Sequence, residues 1–336
     1  MNPQASSAGS GVEVPLAQTI MHLARNASIE INVQDIEHLD ASQAHLAPGK
    51  KIYVSHLPKQ SWDETESACR AVRAAGFDPV PHVPARLLLD SSSLDSLLGG
   101  LVRNAQVREI LLIAGDYPRA LGPYSTVVDV LRSGLLNRHG LRRVSLAGHP
   151  EGHPKVAVEE IRRAEYEKAT LAHLAGLDVT FLTQFFFEPA PFLTWSREMR
   201  SRGIHARIVG GLAGPASVAT LFRFAMRCGV GPSIRALGAR PSSMRKLAAD
   251  HGPEPVLREL ASAYKRNRTD FDGVHLFCFG GFLRTCEWLH ATAQGHFTGV
   301  AVPQQVNAPG KGGGDTGESP AAVASAIVSQ PPRAHG

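Results

Sequence analysis

The stretch Glu109-Ile-Leu-Leu-Ile-Ala-Gly-Asp116 decides the fold: a short apolar run closed by a glycine and an acid. Seven other short apolar, β-branched runs resemble it, at Ser28–Val33, Lys51–His56, Asp78–Val83, Arg142–His149, Val179–Phe186, Ala206–Leu212 and Gly273–Phe279. Helix-like stretches separate them, among them Pro15–Arg25, Ser91–Ala105, Tyr124–Asn137, Val158–Ala175, Pro189–Arg202, Pro215–Cys228 and Arg284–Thr292. Strand and helix alternating eight times predict an α/β fold of the (β/α)8 TIM-barrel class, whose active site lies at the carboxyl ends of the strands. An open doubly wound sheet has the same periodicity, but no G-x-G-x-x-G follows the first strand. The interval between strands seven and eight is long, and Pro232–Ala249 and Pro253–Arg268 predict two extra helices there.

The remaining composition sets the boundaries. With 336 residues, 43% hydrophobic and 19% charged, the chain can build one large core. Residues 1–12 are Ser/Gly-rich and 303–336 are rich in Gly, Pro and Ala, so a barrel domain over 13–302 is expected between disordered ends. A formal charge of +5 is explained by solvated Arg and Lys on helix faces, and no aromatic residues interleave with a basic stripe, so nucleic acid is not an expected partner. No secretory signal and no membrane-length apolar stretch is visible, which predicts a cytoplasmic enzyme. Cys69, Cys228, Cys278 and Cys286 lack metal-ligand spacing and read as buried thiols. The glycine pairs Gly210-Gly211 and Gly280-Gly281 read as tight βα turns.

Strand ends then supply a candidate site: Glu30, His56, His82, Asp116, His149, His153 and Gln184. In Ser-Ile-Glu-Ile-Asn, alternation sets Glu30 apart from Ile29 and Ile31. A carboxylate withdrawn from water there would have a raised pKa and could serve as a general acid, and a structural carboxylate bonded to a neighbouring strand reads equally well. Gly115 permits a close approach, and Asp116 could equally cap a helix, although Tyr117-Pro118 delays the next one. His149-Pro-Glu-Gly-His-Pro154 projects two imidazoles from a rigid loop, without further ligands at zinc spacing, so no metal is expected. His82 alone reads as a hydrogen-bonded core histidine. Gln184, beside Phe185, Phe186 and Phe187, offers an amide and a stacking surface to a heterocycle. No G-x-S-x-G elbow supports acyl transfer.

In this order, Ser28-Ile-Glu, Pro81-His82, Gly115-Asp116-Tyr-Pro, His149-Pro-Glu-Gly-His-Pro and Thr183-Gln-Phe-Phe-Phe resemble the methylenetetrahydrofolate reductases over roughly residues 25 to 295. That resemblance implies a barrel holding FAD and passing a hydride from NAD(P)H to 5,10-methylenetetrahydrofolate. It implies Glu30 as the acid that opens the folate's five-membered ring, Asp116 close to flavin and folate, and Gln184 against pterin and nicotinamide. Ser55, His82, Gly115, Asp116, Tyr124, Ser125, His149, His153 and Lys168 fall at or near flavin-binding positions, with His149 where a tyrosine is common. Thr220 stands where a substrate glutamine is expected, and Arg284 is the nearest substitute for a folate arginine near strand eight. Ala114 stands where an arginine usually precedes Gly-Asp. A folate-dependent demethylase, a flavin-free reductase and a non-catalytic folate-binding barrel remain alternatives, and a homo-oligomer is compatible with the sequence.

Overall fold

The computed structural model describes residues 15–153, 156–228 and 252–297. Eight parallel strands close into a barrel in sequence order: β1 (Ser28–Ile31), β2 (Lys51–Val54), β3 (Asp78–Pro84), β4 (Glu109–Ile113), β5 (Arg143–Gly148), β6 (Asp178–Phe185), β7 (Arg207–Ala213) and β8 (Gly273–Phe277). Closure is made by β1 and β8, which pair Ser28 with His275 and Ile29 with Leu276. The helices are α1 (Leu16–Asn26), α2 (Leu39–Ser42), α3 (Trp62–Ala74), α4 (Ser91–Ala105), α5 (Val127–Arg132), α6 (Leu135–Arg138), α7 (Val158–Leu174), α8 (Pro189–Ser201), α9 (Val218–Cys228), α10 (Glu254–Arg266) and α11 (Phe282–Ala293). The expected helix at 232–249 and both expected disordered ends lie outside the described residues.

Strand alternation splits the core into two layers, as a closed barrel requires. Ile29, Ile52, Leu112, Val144 and Leu276 point outward and bury under the helices. Tyr53, Val80, Leu111, Leu182 and Phe277 fill the interior. Local chemistry sets the helix starts: Ser61 with Glu64, Asp90 with Ser93 and Thr126 with Asp129 each form a reciprocal capping box.

Three expectations change. The helix expected over Tyr124–Asn137 is two, α5 and α6, separated where Gly134 takes φ +70°. A 3-10 turn, Val33–His38, and α2 occupy the β1–β2 connection, where no helix was expected. Gly210 and Gly211 are not a turn but lie inside β7. A Cβ on Gly211 would meet the Thr183 carbonyl oxygen at 2.5 Å and the Gln184 carbonyl oxygen at 2.8 Å, so close strand packing explains this glycine. Among the described residues no helix is long and apolar enough to cross a membrane.

Candidate functional site

Glu30 points into the barrel, where its register partner on β2 is Tyr53. Its Oε2 lies 3.3 Å from His82 Nε2 and 3.8 Å from His275 Nε2. The Ser28 hydroxyl is 2.9 Å from His275 Nδ1, which fixes the far side of that imidazole. All four residues are buried. Burial works to raise the Glu30 pKa, but the charge of His82 and the hydrogen-bonding and charge of the two imidazoles outweigh it and hold the carboxyl down to about 2. The expectation of a raised pKa is therefore corrected: Glu30 is an ionised carboxylate between two imidazoles. His275 escaped the sequence reading, although the alternation that singles out Glu30 also sets His275 apart from Val274 and Leu276.

Above this layer the barrel mouth carries unsatisfied polar atoms. Ser55 Oγ, His82 Nδ1 and Gln184 Nε2 are buried without a hydrogen-bond partner. Gln184 sits in a register break between Leu182 and Phe185 on β6. The Thr183 hydroxyl bridges that break, accepting from Gly211 N at 2.9 Å and donating to the Gln184 carbonyl at 2.8 Å. Phe185 meets Phe279 at 4.8 Å between ring centres, and Phe224 stacks on Phe279 at 4.0 Å. Phe186 instead turns outward onto Phe192. His56 is drawn aside: its ring stacks on Trp62 at 4.0 Å, its Nδ1 is 2.8 Å from the Thr65 hydroxyl, and burial pushes its pKa down to about 4.

On the β4–β5 side lies a cavity of about 330 Å³ between α5 and α7, whose walls include Ala114, Ser125, His149, Glu165 and Lys168. Lys168 is buried and donates from Nζ to the Ala147 carbonyl at 3.1 Å. Burial pushes its pKa down to about 8, against the opposing charge of Glu165. Glu165 accepts from His149 N at 2.9 Å, Arg162 Nη1 at 3.0 Å and Trp195 Nε1 at 3.1 Å. Gly115 has φ +88°. Asp116 is exposed on the loop that follows β4 and caps no helix, since Thr126 performs that task for α5.

Other expected residues sit differently. The Tyr124 hydroxyl is 2.8 Å from Ser91 Oγ, which ties it to α4. His153 forms an isolated bridge with Val156. Thr220 follows β7 at the start of α9, where its hydroxyl accepts from Ser217 at 2.9 Å. Arg284 lies in the first turn of α11, after β8. The structure thus joins Glu30 with His82, and Ser125 with His149 and Lys168, as two separate groups. Arg86 was missed because an arginine just past a strand reads as surface charge, yet it is buried. No group of three or more His, Cys, Asp or Glu side chains that could hold a metal ion occurs among the described residues.

Residues 62–234 match the family model described as methylenetetrahydrofolate reductase, more than half of the chain. The chain belongs to the methylenetetrahydrofolate reductase family. Among solved structures, this family member resembles an uncharacterized protein from Clostridium thermocellum that binds two copies of 5-methyl-5,6,7,8-tetrahydrofolic acid. The TM-score is 0.52 at 12% identity, covering 83% of this chain and 97% of that one. Dihydropteroate synthase from Thermus thermophilus matches with a TM-score of 0.43 at 11% identity, over 79% of this chain and 93% of that one. The first of these likenesses supports the barrel fold that the strand order already establishes.

Proposed function

We propose that this family member reduces 5,10-methylenetetrahydrofolate with NAD(P)H through FAD at the carboxyl end of its barrel. The observation that carries the reading is the pairing of an ionised Glu30 between His82 and His275 with a mouth of unsatisfied polar atoms above it. Buried polar atoms without partners are rare in proteins, so Ser55 Oγ and Gln184 Nε2 fit a polar ligand that completes them. The cavity walled by Ser125, His149 and the Lys168 amine falls within the size of ligand pockets and suits one end of a dinucleotide. Bound there, FAD would supply the hydride chemistry that no side chain can perform.

The remaining work belongs to the protein. Gln184 can donate to a heterocycle from Nε2 while Phe185 and Phe279 keep water from the reacting edge. Asp116, on the exposed loop above the cavity, can orient a cationic or hydrogen-bonding edge of the substrate. Glu30 is too acidic to be the resting proton donor. The Glu30 carboxylate favours a proton held beside it while burial pushes the His275 pKa down, and we assign proton delivery to the folate to the Glu30–imidazole unit.

The visible spectrum of the purified protein tests the reading. A yellow flavin spectrum that bleaches with NADH or NADPH and returns with methylenetetrahydrofolate is expected. Protein that reduces the folate without a flavin would move the reading to a flavin-free reductase. Binding of a methyl-folate with no turnover under either nicotinamide would replace it with a folate-binding barrel.

A further inference from the structure

We propose that Arg86 is a positioning residue, a clasp that fixes the β4–α5 loop as one wall of the α5–α7 cavity and so sets the affinity for the dinucleotide. The proposal rests on the flavin reading for its ligand, but not for the clasp itself. Arg86 follows β3 in a short 3-10 turn, Ala85–Leu87. Its guanidinium donates to three carbonyls of the neighbouring loop: Nε to Ser125 at 3.1 Å, and Nη1 to Tyr117 at 2.9 Å and, at the limit of bonding, to Gly115 at 3.5 Å. Its backbone grips the same loop, with Arg86 N donating to the Ala114 carbonyl at 3.0 Å and Leu121 N donating to the Arg86 carbonyl at 2.8 Å. Gly122 lies against the Leu88 and Leu89 carbonyls with no room for a Cβ, which presses the loop flat on the β3 turn.

The clasp therefore touches the loop at both ends and in the middle. Two of the residues it grips, Ala114 and Ser125, line the cavity, and Asp116 lies between them. Burial pushes the guanidinium pKa down, while the charge of Asp116 works the other way, so Arg86 also offsets that carboxylate. The loop's far end is also held by Asp129, which accepts from Ser125 N and Thr126 N, and by the Tyr124–Ser91 contact. Arg86, in contrast, is bonded to its near end, its middle and Ser125 together. A planar guanidinium with several fixed donors can hold carbonyls in different directions, which an ammonium cannot.

Arg86→Ala and Arg86→Lys test this with two independent readouts. Hydrogen exchange of the protein without added flavin reads the clasp. Amides of residues 115–126 should exchange faster in both variants while the barrel strands keep their protection. FAD affinity, from quenching of flavin fluorescence, should fall by roughly 10–100-fold in Arg86→Ala, with the lysine variant recovering little of it. Unchanged exchange in the loop overturns the clasp. Faster exchange with unchanged FAD affinity overturns its role toward the ligand, as does full recovery by lysine, which would make charge alone sufficient. Failure of the unaltered protein to bind FAD would instead sink the flavin reading, and exchange would still judge the clasp.

Discussion

Glu30 and Glu165 are both buried carboxylates held below their ordinary pKa, and they differ in what surrounds them. Glu165, between β5 and α8, accepts directed hydrogen bonds from a backbone amide, a guanidinium and an indole. Glu30 Oε2 has no directed hydrogen bond and sits near two imidazoles at 3.3 and 3.8 Å. Glu165 also has an imidazole near it, His149 Nδ1 at 3.6 Å from Oε1. Its three directed donors keep their protons near neutral pH, whereas Glu30 Oε2 has imidazoles in place of directed donors. Two equally hidden charges thus have different uses. Glu165 is saturated and braces the β5 end beside the cavity, while Glu30 keeps an oxygen that no directed donor has claimed, beside two imidazoles.

The largest expected effect tests the second half of that contrast. Glu30→Gln should lower methylenetetrahydrofolate reduction by about 10²–10⁴-fold, or about 3–5 kcal/mol of barrier, while flavin content stays unchanged. Steady-state rates with each nicotinamide, alongside the flavin absorbance, measure both. Full activity would break the comparison from the Glu30 side.

Next comes the structural half. Glu165→Gln leaves Lys168 beside a neutral amide and Arg162 with Glu198 as its remaining carboxylate, at 3.1 Å. The cost should therefore fall at the low end of the about 3–5 kcal/mol for breaking a buried ion pair. Glu30→Gln should cost only about 1–2 kcal/mol, because its imidazole partners can become neutral and a guanidinium cannot. Urea unfolding at pH 8 ranks the two, and the reverse order would break the contrast. Acid sharpens it further. Glu30 has its folded pKa lowered from 4.5 to about 2, so its stabilisation is full above the ordinary carboxylate range and is lost as pH falls through that window. The gap between the unaltered protein and Glu30→Gln should therefore close between about pH 4.5 and about pH 2.

A smaller effect separates position from charge. Gly211→Ala forces a methyl against the Thr183 and Gln184 carbonyls at the β6 bulge, at a cost of about 1–3 kcal/mol in unfolding free energy. If Gln184 contacts the substrate, KM for the folate should rise while the Glu30-dependent pH profile stays in place. A shifted profile with unchanged KM would show that the bulge serves the Glu30 cluster instead.

How much of this could be read from the chain follows from the range of each interaction. The strands were legible because apolar runs are local, and β1, β2, β3, β4 and β8 begin at the expected residues. Several expected ends reached too far, because His56, Gly115 and Asp116 leave the ladder to serve the loops. That Glu30 faces away from Ile29 and Ile31 was legible from alternation, and His82 was legible as a core histidine at a strand end. Their meeting with His275 was not, because closure of the barrel brings together residues 245 positions apart. The sign of the Glu30 pKa shift depends on that meeting, so burial alone gave the wrong direction. Arg86 was illegible for a similar reason: its carbonyl partners become neighbours only when β3 pairs with β4.

Lys168 supplies the finest test of the comparison, since of the two cations beside the saturated carboxylate, Arg162 and Lys168, it is the one that can lose its proton. Burial brings its pKa from 10.5 down to about 8, with Glu165 holding it up. Between about pH 8 and 10.5 the unfolded chain then keeps a proton on this amine that the folded protein has released. Stability gains from this group as pH rises through that window, at no more than about 1.4 kcal/mol per pH unit. Lys168→Met removes the contribution. The methionine variant should therefore be favoured most below pH 8, and its advantage over the unaltered protein should shrink steadily toward pH 10.5 in paired urea titrations. In a Glu165→Gln background the window should open at lower pH, because the carboxylate that supports the ammonium is gone. A flat difference across the whole range would mean that the amine stays charged and solvated. The β5 side would then be an open polar site like the barrel mouth, and the contrast between the two carboxylates would lose its basis.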